Sequence, residues 1–199
     1  MYKREWDTRV AHPRRQDRVS TVEESQVRVV PYHSDWLVLY EIEAQRLRTI
    51  LSGIAVDAQH FGSTAVPGLD AKPNVDILVG VPGGASLTTE QIDALTQHGY
   101  EYLGEDGRRP GRVFFRKRGG ASFNLSVVPF GSELWQDNVA IRDYLRTHPD
   151  EARQYANVKY AAAAKSPHSL LGYQNRKRDF VEKLRDLARA WAASGDGRT

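Results

Sequence analysis

Residues 60 to 79 read His60-Phe61-Gly62-Ser63-Thr64-Ala65-Val66-Pro67-Gly68-Leu69-Asp70-Ala71-Lys72-Pro73-Asn74-Val75-Asp76-Ile77-Leu78-Val79. A short strand candidate, residues 56–61, runs into Gly62-Ser63. A loop of small residues follows, and then a second strand, residues 74–81, that carries one carboxylate, Asp76, in an apolar run. The layout suits a phosphate and a cation. A glycine admits close backbone approach, and a serine hydroxyl with loop N–H groups can bond phosphate oxygens. An aspartate on the neighbouring strand can hold a metal.

Outward from this stretch the pattern is α/β. Val27 to Val30 alternates as a strand ended by Pro31. Ser34 or Asp35 can cap a helix whose apolar face is Trp36, Leu39, Tyr40, Ile42, Leu47, Ile50 and Leu51, closed by Gly53. Thr88-Thr89-Glu90-Gln91 starts a short helix through Leu95. Tyr100 to Leu103, Arg112 to Arg116 and Ala121 to Val128 read as antiparallel strands divided by Gly-rich turns. From Ser132 onward the periodicity is helical, over about residues 133–147, 149–164 and 169–193. The expectation is a mixed, mainly antiparallel sheet flanked by helices, with a helical C-terminal segment.

A chain of 199 residues suffices for one domain. Cysteine is absent, which excludes disulfides, thiolate metal sites and a cysteine nucleophile. The N-terminus has no apolar signal core, and no run approaches the roughly 18 apolar residues that cross a bilayer. A cytoplasmic protein without membrane partners is expected. The net charge of +3 is too small to argue for nucleic acid. Arg4, Arg9, Arg14, Arg15 and Arg18 are nearly cancelled by Glu5, Asp7, Asp17, Glu23 and Glu24. Residues 1–25 therefore read as a polar, poorly ordered extension, and residues 26–194 as the domain.

The stretch HFGSTAVPGLDAKPNVDILV closely resembles the signature of the GrpB family, a branch of the nucleotidyltransferase superfamily. The likeness extends to Val29-Val30-Pro31-Tyr32 with Trp36, to Val127-Val128-Pro129, to the run Ala140 to Pro149, and to Tyr173 with Lys177 and Phe180. The resemblance implies a nucleotidyltransferase-like α/β fold. It implies transfer of a nucleotidyl group from a magnesium-bound nucleoside triphosphate to a small-molecule acceptor. The alternative is a degenerate member that binds a nucleotide or another anionic metabolite without turnover.

Carried over residue by residue, Gly62, Ser63 and Thr64 would hold phosphates, and Asp76 would hold Mg2+ and serve catalysis together with Ser63. Asp76 is alone: active superfamily members carry a second acid two residues away and a third on a later strand, where this chain has Asn74 and either Asn124 or Ser126. A structural partnership of Asp76 with Lys72 or the Ser63 loop is the other reading. Lys72 is a candidate phosphate or Asp76 contact. Arg112 and Arg116 share a strand face with Phe114 and are candidates to grip phosphate, or simply an exposed edge. Tyr173 and Lys177, one helical turn apart, are candidate nucleotide contacts or packing residues. His60 reads as a neutral holder of the loop ahead of a general base, Arg142 with Asp143 as an ion pair, and Trp36, Trp135, Tyr144, Tyr155 and Tyr160 as packing residues.

Overall fold

The computed structural model describes residues 26–105 and 110–195; the expected N-terminal extension, residues 1–25, lies outside them. Helix α1 (Asp35–Ile50) is followed by strand β1 (Asp57–Phe61), a 3-10 turn (Ser63–Ala65) and strand β2 (Asn74–Val81). Then come helix α2 (Thr89–Gln97) and strands β3 (Tyr100–Glu105), β4 (Val113–Lys117) and β5 (Ser122–Pro129). Four helices close the described chain: α3 (Glu133–Thr147), α4 (Pro149–Lys165), α5 (Leu170–Arg176) and α6 (Arg178–Ser194). The sheet order is β1-β2-β5-β4-β3. β2 and β5 are parallel and the other three pairings antiparallel. The expected mixed, mainly antiparallel sheet is what forms.

Strand parity divides the sheet into two faces. Val75, Ile77 and Val79 of β2, with Phe123, Leu125 and Val127 of β5, pack beneath α1 and α2 through Trp36, Tyr40, Leu47 and Leu95. Residues two apart point the other way. Leu78 and Val128 meet Trp135 of α3 on that second face, the face that also carries Asp76 and Asn124. The C-terminal helices have a core of their own, in which Tyr144, Leu145, Tyr155 and Leu184 enclose Val66 and Leu69 of the loop after the 3-10 turn. The helical third of the chain is thereby fixed over the loop that precedes β2.

Local signals explain most element ends. Thr88 and Gln91 form a reciprocal capping box at α2, Ser132 and Ser169 cap α3 and α5, and Pro149 opens α4. Four expectations change. Val27 to Val30 is not a strand: Val30 alone bridges Ala71, because that partner lies in a loop and Pro31 offers no further N–H. The helix expected over 169–193 is two, broken at Lys177. Arg112 falls just before β4 rather than within it. Ile42 is 48% exposed on α1 and Glu43 is buried in its place, since Lys117 of β4 and Arg46 bond both carboxylate oxygens and so offset its burial.

Candidate functional site

The turn after β1 is built for contact with Asp76. Gly62 has φ of +70°, and a Cβ placed there would stand 2.5 Å from Asp76 Oδ2. Only glycine both adopts this backbone and leaves that space. The turn is held from behind by two arginines of α3. Arg146 donates Nε and Nη2 to the Ala65 carbonyl at 3.0 and 2.8 Å. Arg142 pairs with Asp143 as expected, and also donates to the His60 carbonyl at 3.0 Å and to Gln59 at 2.6 Å. From within, His60 Nε2 lies 3.0 Å from the Thr64 hydroxyl, which donates to the Asn74 carbonyl. Because the hydroxyl hydrogen goes to Asn74, Nε2 is the protonated nitrogen and Nδ1, buried, has no partner. Burial, helped by Arg146 and Arg142, lowers the His60 pKa to about 3. His60 is the neutral holder of the loop that the sequence suggests, and it acts through the Thr64 side chain.

Asp76 lies at the floor of two adjoining lobes. Asn124 Nδ2 donates to Asp76 Oδ1 at 2.7 Å, and Arg118 Nη2 donates to Asn124 Oδ1 at 2.7 Å. Burial pushes the Asp76 carboxyl above its ordinary range, against the opposing influence of Asn124, Lys72, Lys177 and Arg112.

Ser63, Asp76, Asn124 and Lys177 line both lobes. The smaller, of about 70 Å³, adds Lys72, Lys159, Tyr173 and Asn74. Lys72 and Lys177 each sit 5.5 Å from the Tyr173 ring, and Lys159 sits 4.5 Å from that of Tyr155. Lys177 also donates to the Tyr155 hydroxyl at 3.2 Å. Lys159 is 1% exposed, donates to the Asp70 carbonyl, and is lowered to about pKa 7 by burial and by Lys177. Burial also lowers Lys72, partly offset by Asp76.

The larger lobe, of about 300 Å³, runs between the sheet and α3, α5 and α6. Phe61, Leu78, Leu134 and Val181 contribute apolar walls, and Arg112, Asn138 and Gln174 contribute polar groups. Arg112 stacks 4.4 Å over Phe114 and donates to Ser126 at 3.0 Å.

The structure thus brings Gly62, Ser63, Lys72, Asp76, Arg112, Tyr173 and Lys177 around one cleft. Arg116 is the exception: it lines neither lobe and pairs with Glu101, its register partner on β3, at 2.6 Å. Sequence reading missed Tyr155, Lys159 and Arg118. Tyr155, Lys159 and Ala162 are buried residues of α4 at helical spacing, so a lysine on an otherwise apolar stripe was the available signal.

Among the described residues no cluster of three or more His, Cys, Asp or Glu side chains forms a metal site. Asp76 is, among the described residues, the only acid lining the lobes, against Lys72, Lys159, Lys177, Arg112 and Arg142. The Asn124 oxygen is taken by Arg118. This donor set does not fit a two-magnesium centre, which needs several carboxylates to hold both cations.

Residues 26–186 match the family described as GrpB protein. The chain belongs to the GrpB family. This GrpB protein is 31% identical to the glutamate-rich protein GrpB of Alkalihalophilus pseudofirmus, over 82% of this chain and 96% of that one. It is 34% identical to a UPF0157 protein of Pseudomonas aeruginosa, over 89% and 73%. The crystal structure of conserved protein GrpB from Enterococcus faecalis superposes with a TM-score of 0.72 at 33% identity, covering 82% of this chain and 99% of that one. A more distant likeness, in fold alone, is to the Cid1 poly(U) polymerase with Mg 3'-dATP bound: TM-score 0.53, 18% identity, 74% of this chain and 49% of that one. The nucleotidyltransferase-like fold expected of the sequence is the fold found. No described helix is long and apolar enough to cross a membrane.

Proposed function

We propose that this GrpB protein binds a nucleoside triphosphate, or a similarly polyphosphorylated small molecule, and neutralises it with side-chain cations instead of carboxylate-held magnesium. The observation behind this reading is the convergence of Lys72, Lys159, Lys177 and Arg112 on a cleft whose lining holds one carboxylate, beside the Gly62-Ser63 turn. Charged donors in a partly buried cleft bind phosphate oxygens more strongly than at an open surface. Asp76 orients the ligand by repulsion and fixes Asn124. At most one cation, bridged between Asp76 and the ligand's own phosphates, is compatible with these donors.

Titration calorimetry and thermal shift with ATP, GTP, CTP, UTP and inorganic triphosphate, each in EDTA and in magnesium, test the reading. Binding retained in EDTA and weakened by Lys72→Met or Lys177→Met supports it. A protein that binds none of these, or binds only with magnesium, overturns it.

A second reading is transfer of the nucleotidyl group to a small-molecule hydroxyl. The raised Asp76 carboxyl favours it, since a base works best with its pKa nearer the working pH. Pyrophosphate release abolished by Asp76→Asn, with nucleotide binding retained, is the result this second reading requires.

A further inference from the structure

The two lobes at Asp76 differ in size and in chemistry, and a ligand of the proposed class has two ends that differ in the same way. The smaller lobe is about 70 Å³. It has room for a phosphate group and is much the tighter of the two lobes. Three lysines, Lys72, Lys159 and Lys177, line it together with Ser63. The larger lobe, about 300 Å³, is at the lower bound of small-molecule sites. Phe61, Leu78, Ile141 and Val181 give it apolar wall beside the cations Arg112, Arg142 and Lys177. Besides Asn124, whose amide is taken by Asp76 and Arg118, it has two carboxamides. Asn138 commits its Nδ2 to the Leu134 carbonyl at 2.7 Å, leaving its oxygen as an acceptor, and Gln174 offers both a donor and an acceptor. The apolar side chains among these polar groups give a heterocycle packing contacts that the smaller lobe does not offer.

We propose that the larger lobe is a nucleoside site, so that the ligand lies across Asp76 with its terminal phosphate among the three lysines and its base and sugar between the sheet and α3. This rests on the nucleotide-binding reading above and adds the direction in which the ligand lies. With the terminal phosphate in the smaller lobe, the remaining phosphates of a triphosphate pass over Ser63, Asn124 and Lys177, which line both lobes. The body attached to them then emerges in the larger lobe. The ordering carries a selectivity: affinity gained from the nucleoside and affinity gained from the terminal phosphate belong to separate walls.

The test compares ATP with inorganic triphosphate, by calorimetry, on wild type and on three variants. Ile141→Trp and Val181→Phe fill the larger lobe from α3 and from α6; Lys159→Met alters the smaller. The expected result is a loss of at least tenfold in ATP affinity for both filling variants, with triphosphate affinity within twofold of wild type. Lys159→Met weakens both ligands. Retained triphosphate binding shows in the same experiment that the filled variants are folded. ATP affinity unchanged in both filling variants places the nucleoside elsewhere and overturns the inference while leaving the binding reading intact. Loss of triphosphate in step with ATP, from both walls, shows that the lobes are not separate and overturns it too. A wild type that binds neither ligand removes the nucleotide-binding reading along with it.

Discussion

Replacing Gly62 by alanine tests the most closely packed contact in the cleft. Two costs add. The backbone of Gly62, φ +70° and ψ −170°, lies in a region other residues occupy at a cost of about 1–3 kcal/mol. The new Cβ would also stand 2.5 Å from Asp76 Oδ2 and 3.2 Å from Asp76 Cβ and Cγ. Asp76 Cβ is fixed to a strand paired on both sides, so the carboxylate must turn and give up the 2.7 Å bond from Asn124. A hydrogen bond to a charged group contributes about 1.5–3 kcal/mol. Gly62→Ala is therefore expected to destabilise by about 3–5 kcal/mol in all, which lowers Tm by roughly 10 °C or more in a chain of this size. Urea denaturation followed by tryptophan fluorescence measures it. The same substitution in an Asp76→Ala background separates the two costs, because the backbone strain remains and the carboxylate contact does not. The residual cost there is expected to be about 1–3 kcal/mol. Equal costs in the two backgrounds would refute the contact, and a Gly62→Ala protein within about 0.5 kcal/mol of wild type would refute the whole account.

Asp76→Asn removes a buried charge while keeping an acceptor for Asn124 Nδ2, so stability is expected to hold or rise slightly; a fall of several kcal/mol would show Asp76 to be half of a required ion pair with Lys72. Asn124→Asp sets a second carboxyl against the first, and a magnesium- or manganese-dependent rise in Tm, absent from wild type, is expected because two carboxylates then share one cation. Triphosphate affinity in EDTA is expected to fall as pH rises through about 7, where free Lys159 loses its proton, by roughly tenfold per pH unit at most; a flat profile to pH 9 would remove Lys159 from the site. His60, lowered to about 3 in the folded chain from an ordinary 6.5, takes its proton in the unfolded chain first. Its contribution to stability is complete above about 6.5 and is lost as pH falls towards 3, with a slope approaching about 1.4 kcal/mol per pH unit. A neutral, similarly shaped replacement such as His60→Gln should flatten that limb in acid melts.

What the sequence made legible follows from how locally each feature is encoded. β2 was bounded at 74 and 81 because Pro73 and Pro82 flank a continuous apolar run, and the Gly62-Ser63 turn was conspicuous because the chemistry and the chain reversal use the same small residues. α2 declared itself through a capping box four residues long. The cations were harder. Arg112, Arg116 and Arg118 share one parity, yet Arg116 is drawn off by Glu101 of β3 while Arg118, in the turn before β5, reaches Asn124; only the β3–β4 register decides between them. Tyr155 and Lys159 lie on a helical stripe that reads as packing, and it is the docking of α4 over residues 66–73 that turns the stripe towards Asp76. The break at Lys177 has no proline or glycine to mark it.

The bonds that assemble the cleft join distant parts of the chain. Asn124 meets Asp76 across 48 residues, Arg142 and Arg146 reach the turn across 82 and 81, and Lys159 reaches Asp70 across 89. Closing loops of that length is an entropic expense met late in folding, after local helices and hairpins have formed. A nascent or partly unfolded chain therefore presents Gly62-Ser63 and Asp76 on a hairpin with none of the lysines of α4 or the α5–α6 junction in place. Anion binding becomes a reporter of the last docking step: a ligand that touches both halves should slow unfolding while leaving the rate of folding nearly unchanged.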